Sequence, residues 1–322
     1  MSDMRFAWVG FHSEGVLALE ALLEAKAPIQ GVITLKPDLA AKRSGGADYG
    51  PLCERFGVPL HYIANINEPD ATALLADLAC DVVFVIGWHQ IVRPAALRLA
   101  RLGMIGAHAS LLPHNRGSAP INWAIIRGER QTGNTLFWLT EDVDAGTIID
   151  QRPFPITPYD TCATLYGHVA LTNRDMLLTL LPRLLAGEHP GTRQPPDNEP
   201  VLPRRRPADG KIDWGTPGRM VYDFIRALTR PYPGAFSHLD GRRWRIWQAA
   251  LPQIPAVPDA EPGQCVGPVW SPVDSACGQL VACGDGAPGA VLLLQLEDDD
   301  GAILRGRELS DQPWAGKRWT DA

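Results

Sequence analysis

Two stretches decide the reading of this chain: Ile105–Ile126, IGAHASLLPHNRGSAPINWAII, and Thr132–Ile149, TGNTLFWLTEDVDAGTII. A β-rich run from Met104 to Leu112 leads into a turn punctuated by Pro113 and Gly117. A helical run carrying Trp123, Ile125 and Ile126 follows, and then a second strand over Thr135–Leu139. That strand delivers a loop with three carboxylates, Glu141, Asp142 and Asp144. A histidine at a strand end, His108, facing a carboxylate from the next strand, Asp144, is a candidate acid–base pair. Imidazole titrates near neutrality, and a carboxylate partner orients the ring and stabilises its charged form. The residue types alone equally allow a structural histidine and a solvated acidic loop.

Upstream, RFAWVGF (5–11) predicts a buried strand, and Glu14–Lys26 a helix with Leu17, Leu19, Leu22 and Leu23 on its apolar face. Gly31–Leu35 is the next strand. Strand, helix and strand in so short a span imply a right-handed crossover and a parallel sheet. Gly10 and Gly15 do not form GxGxxG, so no dinucleotide site is expected. The loop 36–50 is polar and glycine-rich. Further strands are predicted over Leu60–Ile63 and Asp81–Gly87, with a helix over Pro69–Leu78 between them. The continuation GWHQIV (87–92) then opens at the carboxyl edge of the sheet, where open α/β folds bind ligands. Thr147–Ile156 reads as a strand and Thr161–Leu181 as a long amphipathic helix, ended or kinked by Pro182.

Residues 189–210 contain six prolines and no apolar period, which predicts a linker between a first domain, 1–188, and a second, 211–322. Arg204–Arg206 in that linker read either as a phosphate grip or as solvated side chains. Beyond it, short strands over Arg242–Ala250, Val266–Val269, Leu280–Cys283 and Val291–Leu296 suit a small barrel.

At 322 residues, 45% hydrophobic and 20% charged, the composition is that of a globular two-domain chain. No apolar run approaches the roughly 20 residues of a membrane span, and the start MSDMRFAWVGF predicts no signal peptide. A cytoplasmic location is expected. The six cysteines have no zinc-ligand spacing, so no metal is expected; Cys277 and Cys283 read as reduced thiols rather than a disulfide. The net charge of −6 argues against a polyanionic partner.

HxSLLPxxRGxxPxxW, followed 36 residues after the histidine (108 to 144) by the aspartate of DAG, resembles the 10-formyltetrahydrofolate-dependent formyltransferases. DGxIDW, IRA and PYPGAF resemble the C-terminal half of the two-domain members. The overall order, including CGDG (283–286), is most similar to the sugar N-formyltransferases that act on UDP-4-amino-4-deoxy-L-arabinose, and also resembles methionyl-tRNA formyltransferases. The resemblance implies a Rossmann-like, mainly parallel α/β formyltransferase domain followed by a smaller β-rich, OB-like barrel domain. It implies 10-formyltetrahydrofolate as formyl donor and His108 and Asp144 as catalytic residues. Folate contacts carry over to Gln90, Ile91 and Val92, to Ser110, Leu111, Leu112 and Pro113, and to Thr140, Glu141, Asp142 and Val143. His89 is then an exposed or folate-lining residue in preference to a catalytic one.

Two positions depart from the pattern. Gly106 replaces an asparagine two residues before the histidine, and Ser118 replaces an arginine. Asn134, where relatives carry valine, reads either as a turn-side asparagine near the strand start or as a candidate compensating donor, which requires its amide to lie near His108. For the amine, a nucleotide-linked amino sugar is favoured. Residues 201–322 hold 14 Arg+Lys against 15 Asp+Glu, whereas tRNA binding calls for a basic face. Methionyl-tRNA and a small amine such as N-hydroxyornithine are the alternatives, and outside enzymes a non-catalytic folate-binding homologue. Nucleic acid is not the expected partner, and a homodimer is allowed for.

Overall fold

The computed structural model describes residues 4–196, 199–252, 260–284 and 289–320. The chain forms two compact units: the first takes the chain up to Ile121, Gln131–Ile156 and Thr164–Arg204, and the second takes Asn122–Arg130, Thr157–Ala163 and the chain from Arg205.

The first unit opens with β1 (Phe6–Val9), α1 (Val16–Glu24), β2 (Ile29–Leu35), α2 (Pro37–Ala40), α3 (Gly50–Phe56) and β3 (Leu60–Ile63). It continues with α4 (Pro69–Leu78), β4 (Val82–Val85), α5 (Pro94–Leu97) and β5 (Gly103–His108). After α6 (Pro120–Ile126) come β6 (Gln131–Trp138), β7 (Ile148–Pro155) and α7 (Cys162–Leu185). The sheet order is β3-β2-β1-β4-β5-β6-β7; the first five strands are parallel, and β6 and β7 are antiparallel additions. FAWV and VVFV are apolar at every position because central parallel strands are covered on both faces. On one face Phe6, Trp8, Phe84, Ile105, Leu136 and Trp138 pack with Leu19 and Leu22 of α1 and with Met176, Leu177 and Leu180 of α7. On the other, Ala7, Val9, Val83, Val85 and Met104 lie with Ala71 and Leu75 of α4 and Ala96 of α5. The α7 helix runs three residues past Pro182, where an end or kink is predicted. So near a helix terminus, the missing N–H removes one bond from a turn that is already fraying.

The order reverses at β1, which pairs with β2 on one side and β4 on the other. That switch point is where doubly wound sheets bind ligands. The loops after β1 and β4 are tied together there, because Phe11 and His12 both donate their N–H to the Gly87 carbonyl.

The segment predicted as a linker is tied to the first unit. Thr192 forms a bridge with Ile148, and Leu202 one with Gly117.

The second unit contains α8 (Gly218–Leu228), β8 (Ala235–Leu239), β9 (Arg242–Ala250), β10 (Cys265–Val269), β11 (Gly278–Ala282), β12 (Ala290–Asp298), β13 (Ile303–Arg305) and α9 (Gly306–Ser310). Its antiparallel sheet runs β10-β11-β12-β9-β8, with β13 on β12. The C-terminal segment links the two ends of this sheet: Thr320 bridges His238, and Arg318 bridges Gln264. Of CGDG, Asp285 and Gly286 lie outside the described residues. Helix α8 explains why 122–130 and 157–163 fold with this unit. Its buried Arg226 pairs with Asp223 and donates to the carbonyl oxygens of Thr157 and Asp160, while Asn122 donates to the Ala227 carbonyl.

Candidate active site

Strand β5 ends at His108, and its antiparallel neighbour β6 places Thr135 directly opposite. Because β6 runs the other way, the loop after it starts at the amino end of β5, where Leu139 N–H donates to Met104 O. To reach His108 the loop 139–147 must fold back over the sheet face. Gly146 permits the reversal, since a Cβ there would lie 1.7 Å from the Trp138 carbonyl oxygen. Asp144 sits in the left-handed region at φ 51, a conformation that costs a non-glycine residue.

The result is a mostly buried carboxylate against a buried ring. Asp144 Oδ2 lies 3.5 Å from His108 Nδ1 and accepts the Gly117 N–H at 2.9 Å. On the other side of the ring, Nε2 lies 2.8 Å from the Asn115 carbonyl oxygen. Both ring nitrogens therefore face oxygen atoms. The turn that supplies these groups is held by Thr135. Its hydroxyl donates to Ser110 O and accepts from Leu112 N–H, and Gln151 Nε2 bridges that hydroxyl to Leu112 O. Ser110 Oγ donates to His114 O, and the Leu112–Pro113 peptide is cis.

The residues expected at the folate divide into spent and available groups. Gln90 uses its side chain internally, accepting from Ile66 N–H and donating to Ala64 O. Ile91 is exposed, although its carbonyl accepts from Asn67, and Val92 is buried. Leu111 O accepts from His114 N–H, so the polar groups of 110–112 mostly maintain the turn. The 140–143 stretch is different. Its side chains are exposed, Thr140 Oγ1 donates to Asp142 O, and its main-chain N–H groups make no bond among the described residues.

Asn134 does not compensate for Gly106. Side chains alternate along β6, so Thr135 shares the face of His108 and Asn134 points to the opposite one. There its amide donates to Asn173 Oδ1 at 2.6 Å and to Thr172 Oγ1 at 3.1 Å, both on α7. Asn173 in turn donates to Glu14 O. The space beside Gly106 is filled by a hydrocarbon instead, because a Cβ on Gly106 would meet Leu139 Cδ2 at 2.6 Å.

His89 stands at the switch point, with its ring edge-on to Phe11 at 5.0 Å and beside Trp88 at 5.7 Å. Partial burial of the ring, then Arg43 and then Arg204, pull its pKa down to about 4. The residue as a whole remains exposed. Arg205 stacks on Trp123 and donates to Asp209 O, while Arg206 is exposed and its main-chain N–H donates to Asp209 Oδ2. No cluster of three or more potential metal ligands occurs among the described residues, and none of their helices is long and apolar enough to cross a membrane.

Sequence reasoning missed the ring's second partner, Asn115 O, and the contact of Gln194 Nε2 with the Asp144 carbonyl oxygen at 2.8 Å. Nothing in the sequence marks either, but counting register from His108 to Thr135 identifies the hydroxyl that ties the turn.

Residues 18–181 match the formyl transferase family and residues 205–312 its C-terminal domain. A methionyl-tRNA formyltransferase of Symbiobacterium thermophilum is 36% identical over 287 residues, covering 88% of this chain and 86% of that one. Among solved structures, the sugar 3N-formyl transferase WlaRD, determined with dTDP and 5-N-formyl-THF, superposes with a TM-score of 0.64 at 16% identity, covering 93% of this chain and 99% of that one. HypX from Aquifex aeolicus, in complex with tetrahydrofolic acid, superposes with a TM-score of 0.63 at 20% identity, covering 94% of this chain. This chain spans about half of HypX (46%). A shared two-part architecture and both family matches lead to one conclusion: the chain belongs to the formyl transferase family, whose formyl donor is 10-formyltetrahydrofolate.

Proposed function

We propose that this formyltransferase acts on the amine of a nucleotide-linked amino sugar, with His108 and Asp144 handling the protons. 10-Formyltetrahydrofolate supplies the activated formyl carbon and a nitrogen leaving group. Asp144 accepts a proton from the attacking amine on its carboxylate, of which Oδ2 is held by Gly117 N–H. His108 gives up the contact of its Nε2 with the Asn115 carbonyl oxygen, stabilises through that nitrogen the negative charge developing on the formyl oxygen, and passes a proton toward the leaving nitrogen. The free main-chain N–H groups of 140–143 and the exposed side chains of Ile91 and Val143 suit a flat ligand with a polar edge. The observation that carries the assignment of roles is the contact of His108 Nδ1 with Asp144 Oδ2 at 3.5 Å.

For the acceptor, the supporting observation is the state of the cations in the second unit. Arg219 and Arg226 lie against Asp223, Arg230 against Glu297, and Arg242 against Asp298 and Asp300. Arg243 and Arg245 meet Asp299, Lys317 meets Asp240, and Arg318 meets Glu261. Charges neutralised in this way release few counterions on meeting a polynucleotide. Methionyl-tRNA is the second reading, favoured by the 36% identical relative. Assaying 10-formyltetrahydrofolate consumption with dTDP-3-aminofucose, UDP-4-amino-4-deoxy-L-arabinose, N-hydroxyornithine and methionyl-tRNA separates the two. Turnover of a sugar nucleotide well above the other amines is expected, and preferential formylation of methionyl-tRNA would transfer the assignment to the second reading.

A further inference from the structure

We infer that Gln194 is a positioning residue for the reaction: it holds Asp144 in the backbone conformation that brings its carboxylate to His108. The inference rests on the assignment of Asp144 to the proton-handling pair. Gln194 is buried, and both polar atoms of its side chain are engaged. Its Nε2 donates to Asp144 O and to Gly146 O, each at 2.8 Å, and its Oε1 accepts from Arg116 Nη2 at 2.8 Å. These bonds fix the peptides on either side of the 144–146 turn.

Asp144 needs that support. With φ at 51 it occupies a sparsely populated region for a side chain with a Cβ. A residue in that conformation persists only where its surroundings over-determine it. Two anchors do so here: the Gly117 N–H takes the carboxylate at 2.9 Å, and Gln194 takes the main chain. Both anchors are connected through Arg116, which binds Gln194 with its guanidinium and accepts Leu202 N–H with its carbonyl. Gln194 thus bonds to the Asp144 loop, and Leu202 to the Gly117 turn. Releasing the Gln194 end lets residue 144 relax toward negative φ, which turns the carboxylate away from His108 Nδ1.

The full-length protein labelled with ¹⁵N-histidine provides a readout independent of the amine. The His108 ring signals are assigned by their loss in His108→Gln. Gln194→Met keeps the length and removes both donors; Gln194→Glu keeps the acceptor for Arg116 but cannot donate to both carbonyls. Both variants are expected to move the His108 ring signals toward their Asp144→Ala positions while the other histidine signals stay in place. Adding Gln194→Met to Asp144→Ala is expected to move His108 no further, because coupled residues are not additive. With an amine turned over in the panel above, Gln194→Met should lower kcat about tenfold to a hundredfold, with KM for 10-formyltetrahydrofolate within about twofold. An unmoved His108 signal in both folded Gln194 variants would overturn the inference, as would a full additional shift in the double variant. If Asp144→Ala itself leaves His108 unmoved, the pairing is wrong and the role of Gln194 goes with it.

Discussion

Leu139 occupies the place that a side chain on Gly106 would take, its Cδ2 lying 2.6 Å from where a Cβ would stand. Gly106 and His108 point to the same face of β5, so this methyl group lies on the face that bears the His108 ring. An asparagine at 106 would bring an amide donor to that face only if Leu139 moved. Gly106→Asn alone is therefore expected to destabilise the protein by about 1–3 kcal/mol, the usual cost of overpacking. Combining it with Leu139→Ala should recover the stability and raise kcat above that of Leu139→Ala. Thermal unfolding and turnover of the three variants check this. A freely tolerated Gly106→Asn would show that Leu139 yields without cost.

Asn134 has a structural role. Its amide joins β6 to Asn173 and Thr172 on the face opposite His108. Asn134→Ala takes the Asn134 donor from the buried Asn173 Oδ1, which costs about 1–3 kcal/mol. Denaturant unfolding should register that loss while kcat stays within about twofold of the parent. A large fall in kcat with stability unchanged would contradict it.

How much of this was legible beforehand depended on whether the determinant was local. The apolar runs of β1 and β4 and the turn glycines belong to sequence-adjacent residues, and the parallel sheet followed from them. The 36-residue interval between His108 and Asp144 carried the candidate pair only through family resemblance. Asn134 was misjudged because its facing depends on β-register. A shift of one residue moves a side chain to the other face of the sheet, and composition does not report that shift. Gln194 was invisible for a related reason. Its three bonds are to groups 48 to 78 residues away, and it lies in a proline-rich stretch that looks like free chain.

The imidazole of His89 should titrate far below an ordinary histidine, toward about 4, because of partial burial followed by Arg43 and Arg204. A depressed pKa means that the unfolded chain takes up this proton before the native one. The contribution is thus present above about pH 6.5 and is lost as pH falls from there toward 4. An NMR titration of His89 and of Arg43→Ala tests the cause, and removal of the guanidinium should raise the midpoint. A midpoint at the ordinary value in the parent protein would refute the cover by Phe11 and Trp88.

The central claim is that Asp144 handles protons together with His108. Asp144→Asn preserves the side-chain shape and an oxygen able to accept from Gly117 N–H, while removing the charge that faces His108 Nδ1. The direct measurement is kcat for formyl transfer from 10-formyltetrahydrofolate by Asp144→Asn, using the best amine of the panel. The account predicts a loss of about a hundredfold or more with folate binding retained, whereas turnover near that of the parent enzyme would contradict it.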